Sequence, residues 1–596
     1  MHDKKRKKEL GIFYTDEKIV DFIYDILILW KEKEDKETNR WHFSSGRPKY
    51  PSVIDPACGE GIFLKKAIEK SFTLPRYVFG VDIDINAKKK WEEINLLKEF
   101  GSRAELDVHF IHQDGLLPLP DKVLRYKRGG LKEFDVVVGN PPYGGIGVKF
   151  SNKKLDSYTK KLLETLEKFE IFQYKLRKEV NNKRDENLTL FEIKTQQQIA
   201  RNKIPRLAES IPIEILFIER FIQLVKPGGY IAIILPDGIF ANANLHYVRE
   251  FIKDKTKVEA IISLPRSAFK NVGTSAKTSI LFLRKPRNIK EIENLEYNVF
   301  LGAVEDINKL KDVFEFYKEV YEMNNVKEKV KVIKDEKGNE VAMMRVDKTL
   351  KEMMEESHWD PLYYNPHTES VLNLLNKCRF RVVELGGFIP RGPAYITYGQ
   401  VGRRIFVKRS SVRYLTTKNI METGINWYIV EKYIQKDGWN DPPRSRPKKR
   451  DILFIGNGVG CAGRVIWLDR DIERCNIEQN IVIIRPQGIN PAYVTVYLKS
   501  KFGLLQIFRV KSRVGPAYIN FDEIRSVKIP VLPSLVQEHI EERYKEMSTF
   551  HYKAIECFKN GDEKGYSKYL HEAEQMLNDL IAKTEAVIRG EREDVI

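Results

Sequence analysis

Between about residues 50 and 285, short runs of β-branched and aromatic residues alternate with longer stretches of helical periodicity. That alternation restricts this part of the chain to an α/β fold around a largely parallel sheet. The runs are Ser52-Val53-Ile54, Tyr77-Val78-Phe79-Gly80-Val81, Phe134-Asp135-Val136-Val137-Val138, and residues 230 to 235, 258 to 263 and 279 to 283. In such sheets ligands bind beyond the carboxyl ends of the strands, so the residues that follow each run are the candidates for chemistry. Ahead of them Ile19, Val20, Phe22, Ile23, Ile26 and Leu27 fall at helical spacing, and Thr15 before Asp16 and Glu17 is the expected cap.

The chain has 596 residues, too many for one ordinary core. Residues 148 to 210 are polar, with a long helical section over residues 159 to 178; they read as an excursion or, preferably, as two extra surface helices. Residues 291 to 370 are charged and are expected to be a connector, with a hairpin at residues 330 to 343 turning at Lys337-Gly338-Asn339. Residues 371 to 533, rich in Gly, Pro, Arg and aromatics, read as a second domain. Residues 534 to 596 read as a helical hairpin broken at Asn560-Gly561. Five scattered cysteines without a C-x-x-C pair argue against a disulfide framework and against a metal site. No secretory pattern or membrane-length apolar run is evident, so the expected location is the cytoplasm.

The most informative segment is Val53-Ile54-Asp55-Pro56-Ala57-Cys58-Gly59-Glu60-Gly61-Ile62-Phe63-Leu64, a strand, a glycine turn and a helix start. Gly59 and Gly61 allow close backbone approach to a ligand. Asp55 at the strand end suits a cationic amino group, which favours S-adenosylmethionine over a dinucleotide whose pyrophosphate the carboxylate would repel. Asp82 ends the next strand, where a carboxylate can accept ribose hydroxyls, and Asp114 follows the third, where it can meet an adenine amino group. His112 reads as structural or surface rather than catalytic. The fourth strand runs into Asn140-Pro141-Pro142-Tyr143, a rigid turn at the crevice. There the Asn140 amide oxygen and the Pro141 carbonyl can both accept from one exocyclic NH2 group, and Tyr143 supplies a face for its ring.

Taken in order, these motifs resemble the gamma class of N6-adenine DNA methyltransferases, in particular type I modification subunits. Gly11-Ile12-Phe13-Tyr14-Thr15 comes first, and Lys226-Pro227-Gly228-Gly229-Tyr230, Leu235-Pro236-Asp237-Gly238 and Ser263-Leu264-Pro265 follow the strand-end motifs. The resemblance implies a Rossmann-like methyltransferase sheet over residues 1 to 290 with an N-terminal helical segment. It implies that Tyr14, Thr15, Asp55, Pro56, Ala57, Gly59, Gly61, Asp82, Ile83, Asp114 and Pro142 hold S-adenosylmethionine. Asn140, Pro141, Pro142 and Tyr143 would act on the target amine, and Tyr143 and Phe269 would sandwich a base flipped from duplex DNA. Glu60 departs from the family, which more often has a small residue there.

The formal charge of +18 is concentrated: residues 399 to 450 hold thirteen Lys or Arg against four Asp or Glu, interleaved with aromatics. This is either a phosphate-tracking surface or a solvated basic face. The region resembles the α+β target recognition domain of type I specificity subunits, most clearly at residues 528 to 538, where such a domain passes into its long helix. Arg391, Tyr395, Arg403, Arg404, Arg444, Arg446, Arg513 and Tyr518 are the DNA-contact candidates. Tyr395 and Tyr518 fall in a short internal echo, Gly-Pro-Ala-Tyr-Ile, that chance can also produce. No phosphate-loop or nuclease motif is found. The expected activity is sequence-specific adenine methylation of double-stranded DNA, alone or alongside a restriction subunit or a second copy. An RNA or protein methyltransferase and a non-catalytic specificity subunit are the alternatives.

Overall fold

A computed structural model describes residues 15–42, 44–93, 108–124, 132–143, 157–181, 204–272, 277–322, 328–408, 411–458, 461–510 and 519–596. Tyr14, Arg513 and Tyr518 lie outside these residues. The chain divides into two compact units, Met1–Leu362 and Tyr363–Ile596.

The first unit is built on ten strands: β1 (Val53–Asp55), β2 (Val78–Asp82), β3 (Phe110–His112), β4 (Phe134–Gly139), β5 (Val225–Pro236), β6 (Lys257–Ser263), β7 (Thr278–Arg284), β8 (Asn298–Val304), β9 (Val330–Lys334) and β10 (Glu340–Thr349). Their order is β3-β2-β1-β4-β5-β7-β6-β8-β10-β9. β1 to β5 are mutually parallel, as the near-continuous apolar runs demand of strands buried on both faces. β7 runs antiparallel between β5 and β6, and β10 is antiparallel to both its neighbours, so only the half of the sheet carrying the strand-end motifs is wholly parallel.

The helix Glu17–Thr38 buries the expected stripe. Phe22 and Trp30 meet Phe282 of β7 edge-on at 6.2 and 5.9 Å, and the Trp30 indole donates to the Tyr317 hydroxyl at 2.8 Å. Its cap is Asp16, which accepts from the Lys18 N–H at 2.9 Å, rather than Thr15. Thr15 is used elsewhere, as described below. Among its described residues the polar excursion is helical over Ser157–Leu166, Ile171–Asn181 and 204–210, three stretches rather than the preferred two.

Residues 291 to 370 are not a connector. β8 pairs with β6, the β9–β10 hairpin extends the same sheet, and the helix Leu310–Glu322 buries Val313, Phe316 and Tyr317. The charge count misleads here because the helix Leu310–Glu322 is amphipathic, with its charges off the face that enters the core, and β9 is an edge strand whose lysines reach solvent. The hairpin turn is as expected, with Gly338 at φ +82° and Asp335 accepting from the Lys337 and Asn339 N–H groups.

The second unit begins at residue 363, ahead of the expected boundary at 371, because the helix Pro366–Asn376 packs into its core through Val371 and Leu375. A four-stranded antiparallel sheet orders Ile396–Tyr398, Ile481–Ile484, Ile452–Ile455 and Val465–Trp467. A smaller sheet joins Tyr433–Ile434, Val412–Leu415 and Cys475–Ile477. The helical hairpin is present as Ser534–Lys559 and Glu563–Arg589. It is not a separate domain: Ile540, Tyr544, Leu577 and Leu580 share one buried cluster with Phe454, Val465 and Trp467 of the sheet, and the Tyr544 hydroxyl accepts from the Trp467 N–H at 3.2 Å. At about 1.5–3 kcal/mol for each buried large apolar side chain, the sheet and the hairpin stabilise each other. No helix among the described residues is long and apolar enough to cross a membrane.

Candidate active site

The four motifs named from sequence converge because β3, β2, β1 and β4 are adjacent and parallel, so their carboxyl ends form one edge. Asp55 closes β1, Asp82 closes β2, Asp114 follows β3 and Asn140 follows β4. The loops at this edge are in tight contact. A Cβ on Gly139 would stand 2.4 Å from Asp55 Oδ1, and one on Gly115 would stand 1.9 Å from the Pro56 carbonyl oxygen.

After β1 the chain turns through Pro56 and Ala57. The Cys58 N–H donates to the Val81 carbonyl at 2.9 Å, and the Gly59 N–H donates to Asp82 Oδ2 at 2.7 Å. Gly59 (φ +50°) and Gly61 (φ +83°) take the left-handed conformation. Space is open around Gly59, whereas a Cβ on Gly61 would meet the Trp91 indole nitrogen at 2.6 Å. Trp91, which donates to the Gly59 carbonyl at 3.2 Å, is a positioning residue that the sequence reading did not single out. Asp82 also accepts from the Asp84 N–H at 2.7 Å, so it braces the glycine turn, with each oxygen retaining one lone pair for a ligand hydroxyl. Beside it Ile83 is 52% exposed, and Pro142 is half-buried. Asp114 accepts from the Leu116 N–H at 2.8 Å and from the Tyr158 hydroxyl at 2.6 Å. Its loop is fixed from below by Arg220, whose guanidinium donates to the carbonyls of Gly115 (3.0 Å) and Leu117 (2.7 Å). His112 is exposed and bonds the Ile83 carbonyl at 3.1 Å.

Asp55 is 1% exposed. Oδ1 accepts from the Ala57 N–H at 2.9 Å, and Oδ2 is buried without a hydrogen-bond partner. Burial raises its pKa well above the ordinary carboxylate value, and the charge of Asp82 adds to the rise. Asp82 is raised as well, chiefly by burial. Two desolvated acids side by side form an edge that favours a cation.

Asn140 Nδ2 donates to Thr15 Oγ1 at 3.2 Å, and the Asn140 amide acts on the Tyr143 phenol against the upward push that burial gives its pKa. With the amide nitrogen held, Oδ1 is left buried and without a partner. Tyr143 and Phe269 are neighbours, but their rings meet edge-to-face, 89° apart with centroids at 6.4 Å, and both are buried. The sandwich expected from sequence is therefore not preformed. A base held between two rings needs them parallel and about 7–8 Å apart, two van der Waals layers, so one ring must turn to admit it.

In the second unit, Arg391 is exposed and pairs with Asp522 at 3.0 Å, and Arg403 is exposed. Arg404 lies 3.7 Å from Glu478. Tyr395 is half-buried and packs against the core, with its carbonyl accepting from the Arg485 N–H at 2.8 Å. Arg446 is corrected to a structural residue: with Arg474 it clamps the buried Asp441, whose pKa, despite the upward push of burial, their hydrogen bonds hold at about 2. Arg444 instead donates to neutral acceptors, Thr397 Oγ1 (2.9 Å), the Tyr398 carbonyl (3.1 Å) and Gln400 Oε1 (3.2 Å), so its charge is not cancelled by them. It lines a cavity of about 430 Å³ with Lys448, Arg485 and the stiff Pro393, Pro443 and Pro447.

Parallel strands in the order 3-2-1-4-5, an antiparallel seventh between the fifth and sixth, a glycine turn after the first and Asn-Pro-Pro-Tyr after the fourth define a class I methyltransferase fold. The chain belongs to the N-6 DNA Methylase family, which it matches over residues 1–173 and 187–359. It is 24% identical over 219 residues to the uncharacterized protein YtxK of Bacillus subtilis (strain 168), covering 36% of this chain and 46% of that one. It is 23% identical over 257 residues to the type I restriction enzyme EcoEI methylase subunit of Escherichia coli, covering 40% and 39%. The chain thus spans less than half the length of these curated relatives. Among solved structures it is similar to the type IIG restriction endonuclease BpuSI (14% identity, TM-score 0.40, 96% of this chain and 66% of that one). It is also similar to a type I methyltransferase subunit from Streptococcus thermophilus (17%, TM-score 0.35, 58% of each).

Proposed function

We propose that this chain is a sequence-specific DNA methyltransferase that transfers the methyl group of S-adenosylmethionine to N6 of an adenine flipped out of duplex DNA. The observation that carries this reading is Asn140 Oδ1, a buried acceptor with no donor, on a side chain whose amide nitrogen is held by Thr15. An exocyclic amine supplies the missing donor. The Pro141 carbonyl can take its second hydrogen, and two such bonds draw the nitrogen lone pair out of conjugation with the ring. Positioning of this kind needs no covalent enzyme intermediate.

The residues present also fit the cofactor. The orphaned Asp55 Oδ2 suits an ammonium group, the open space at Gly59 admits a close ligand, and the exposed Ile83 offers an apolar contact for a purine. When bound, S-adenosylmethionine supplies an electrophilic methyl on a sulfonium. Reaching a base inside a duplex costs a few kcal/mol, and stacking on Tyr143 and Phe269 offsets about 1–3 kcal/mol of that for each base–ring contact. In the second unit Arg403, Arg444 and Lys448 are the proposed phosphate contacts. The DNA sequence is to be selected there, in the manner of a target recognition domain. With such a substrate the protein would work at the nucleoid, as an orphan enzyme or as the modification part of a restriction-modification system. Its C-terminal helices would be the surface for a restriction subunit or a second copy.

Labelled methyl incorporation into duplex DNA tests the assignment. Transfer that Asn140→Ala abolishes is the expected result, and equal transfer by the variant contradicts it.

A further inference from the structure

The helix Ile213–Leu224 contains three charged side chains that are buried although the helix is otherwise apolar: Glu214, Glu219 and Arg220, at 7, 3 and 7% exposure. Two have evident structural work. Glu219 accepts the N–H groups of Glu170 and Ile171 at 2.8 and 2.9 Å, and Arg220 fixes the loop after Asp114. Glu214 has none. Its Oε2 is buried without a hydrogen-bond partner, a cost that its own backbone N–H and its place in the first helical turn offset only in part.

The topology places Glu214 at the end of the sheet where β4 stops. The helix leads directly into β5, the parallel neighbour of β4, so it runs opposite to both strands and its first turn stands at their carboxyl edge. Asn140 and Tyr143 leave β4 at this edge, and Glu214 acts electrostatically on the Tyr143 phenol. Its own backbone N–H donates to it from the helix. On the β5 side the nearest acid in sequence, Asp237, is engaged by Ser279 at 2.8 Å and by Lys277 at 3.9 Å. Among the described residues Tyr143 is thus the titratable group on which Glu214 acts.

Resting on the methyl-transfer reading above, we infer that Glu214 receives the proton released by the target amine. As the N–C bond forms and the S–C bond breaks, the bonding pair stays on sulfur and the nitrogen becomes cationic. It must then shed one N–H proton. Asn140 Oδ1 and the Pro141 carbonyl orient that proton but are too weakly basic to keep it, whereas a carboxylate at the same edge can. The acid form returns the proton to water when the product base leaves the pocket. Burial has already pushed the Glu214 pKa up to about 7, which matches a group that must be a base near neutral pH and an acid afterwards.

The full-length chain tests this in two ways. In the cofactor-free protein, carboxyl NMR should show, beside Glu219 and Glu523, which burial also raises to about 7, a group titrating near neutral pH that disappears in Glu214→Gln. In single-turnover methylation of duplex DNA, the wild-type rate should fall about tenfold per pH unit below that pKa. Glu214→Gln should be slower by roughly 10²- to 10⁴-fold and lack the break, with affinities for S-adenosylmethionine and DNA unchanged. If Glu214→Gln fails to fold, Glu214→Asp serves: a slower rate with a displaced break supports the role, and a profile without a break overturns it. A glutamine variant with the wild-type rate and pH profile overturns the inference while leaving the methyltransferase intact. Absence of transfer by the wild type overturns the reading beneath it.

Discussion

Asp55→Asn separates the electrostatic account of the cofactor pocket from a purely steric one, because the substitution keeps shape and removes charge. Asparagine Oδ1 can still accept from the Ala57 N–H, so the turn after β1 is retained. What is lost is the carboxylate whose Oδ2 lacks a partner and whose folded pKa is raised by burial and by Asp82. A raised acid is a protonated acid over a wider range. Its contribution to stability is complete below the unfolded pKa and is lost as pH rises through the folded value. Within that window the wild type should lose about 1.4 kcal/mol per pH unit from this group, and the asparagine variant none. Ligand binding should move oppositely. Loss of a hydrogen bond to a charged group costs about 1.5–3 kcal/mol, or roughly 10- to 150-fold in affinity for S-adenosylmethionine. Wild-type affinity should rise with pH through the folded pKa of Asp55, with proton release seen by calorimetry in buffers of different ionisation enthalpy. Urea unfolding and calorimetry on both proteins between pH 4 and 8 read each arm. A stability difference between them that does not vary with pH, or unchanged cofactor affinity in the variant, refutes the reasoning.

Gly61→Ala should lose about 2–4 kcal/mol in urea unfolding together with cofactor binding, since its Cβ would meet the Trp91 indole at 2.6 Å at a φ of +83°. Tyr158→Phe releases Asp114 Oδ2 from the phenol that occupies it at 2.6 Å, and calorimetry should show tighter S-adenosylmethionine binding by several-fold. Arg444→Ala should weaken binding to all duplexes alike and lower the slope of log affinity against log salt by about one, measured by fluorescence anisotropy. Arg446→Ala should instead lower thermal stability, because it leaves the buried Asp441 short of a partner.

Much of the catalytic edge was legible because it is local. A strand, a glycine turn and a helix start are contiguous in sequence, and so is Asn140 through Tyr143. What was not legible depends on contacts between distant residues. Thr15 reads locally as a helix cap, yet its hydroxyl fixes Asn140, 125 positions away. Trp91 shapes the glycine turn from another helix. Glu214 and Arg220 carry a signal of another kind, charges at core positions of an apolar helix. Over residues 291 to 370 charge content misleads for a related reason: composition averages both faces of an amphipathic element, and only its buried face decides that it extends the sheet. In the basic region, counting charges could not separate Arg446, consumed by Asp441, from Arg444, whose partners are neutral.

The most direct test of the central claim is the identity of the methylated product. Duplex DNA incubated with the protein and S-adenosylmethionine, then digested and analysed by mass spectrometry, should yield N6-methyladenine at one sequence, and none with Asn140→Ala. Methyl found on cytosine, on RNA or on protein instead, or N6-methyladenine undiminished in the variant, would contradict it.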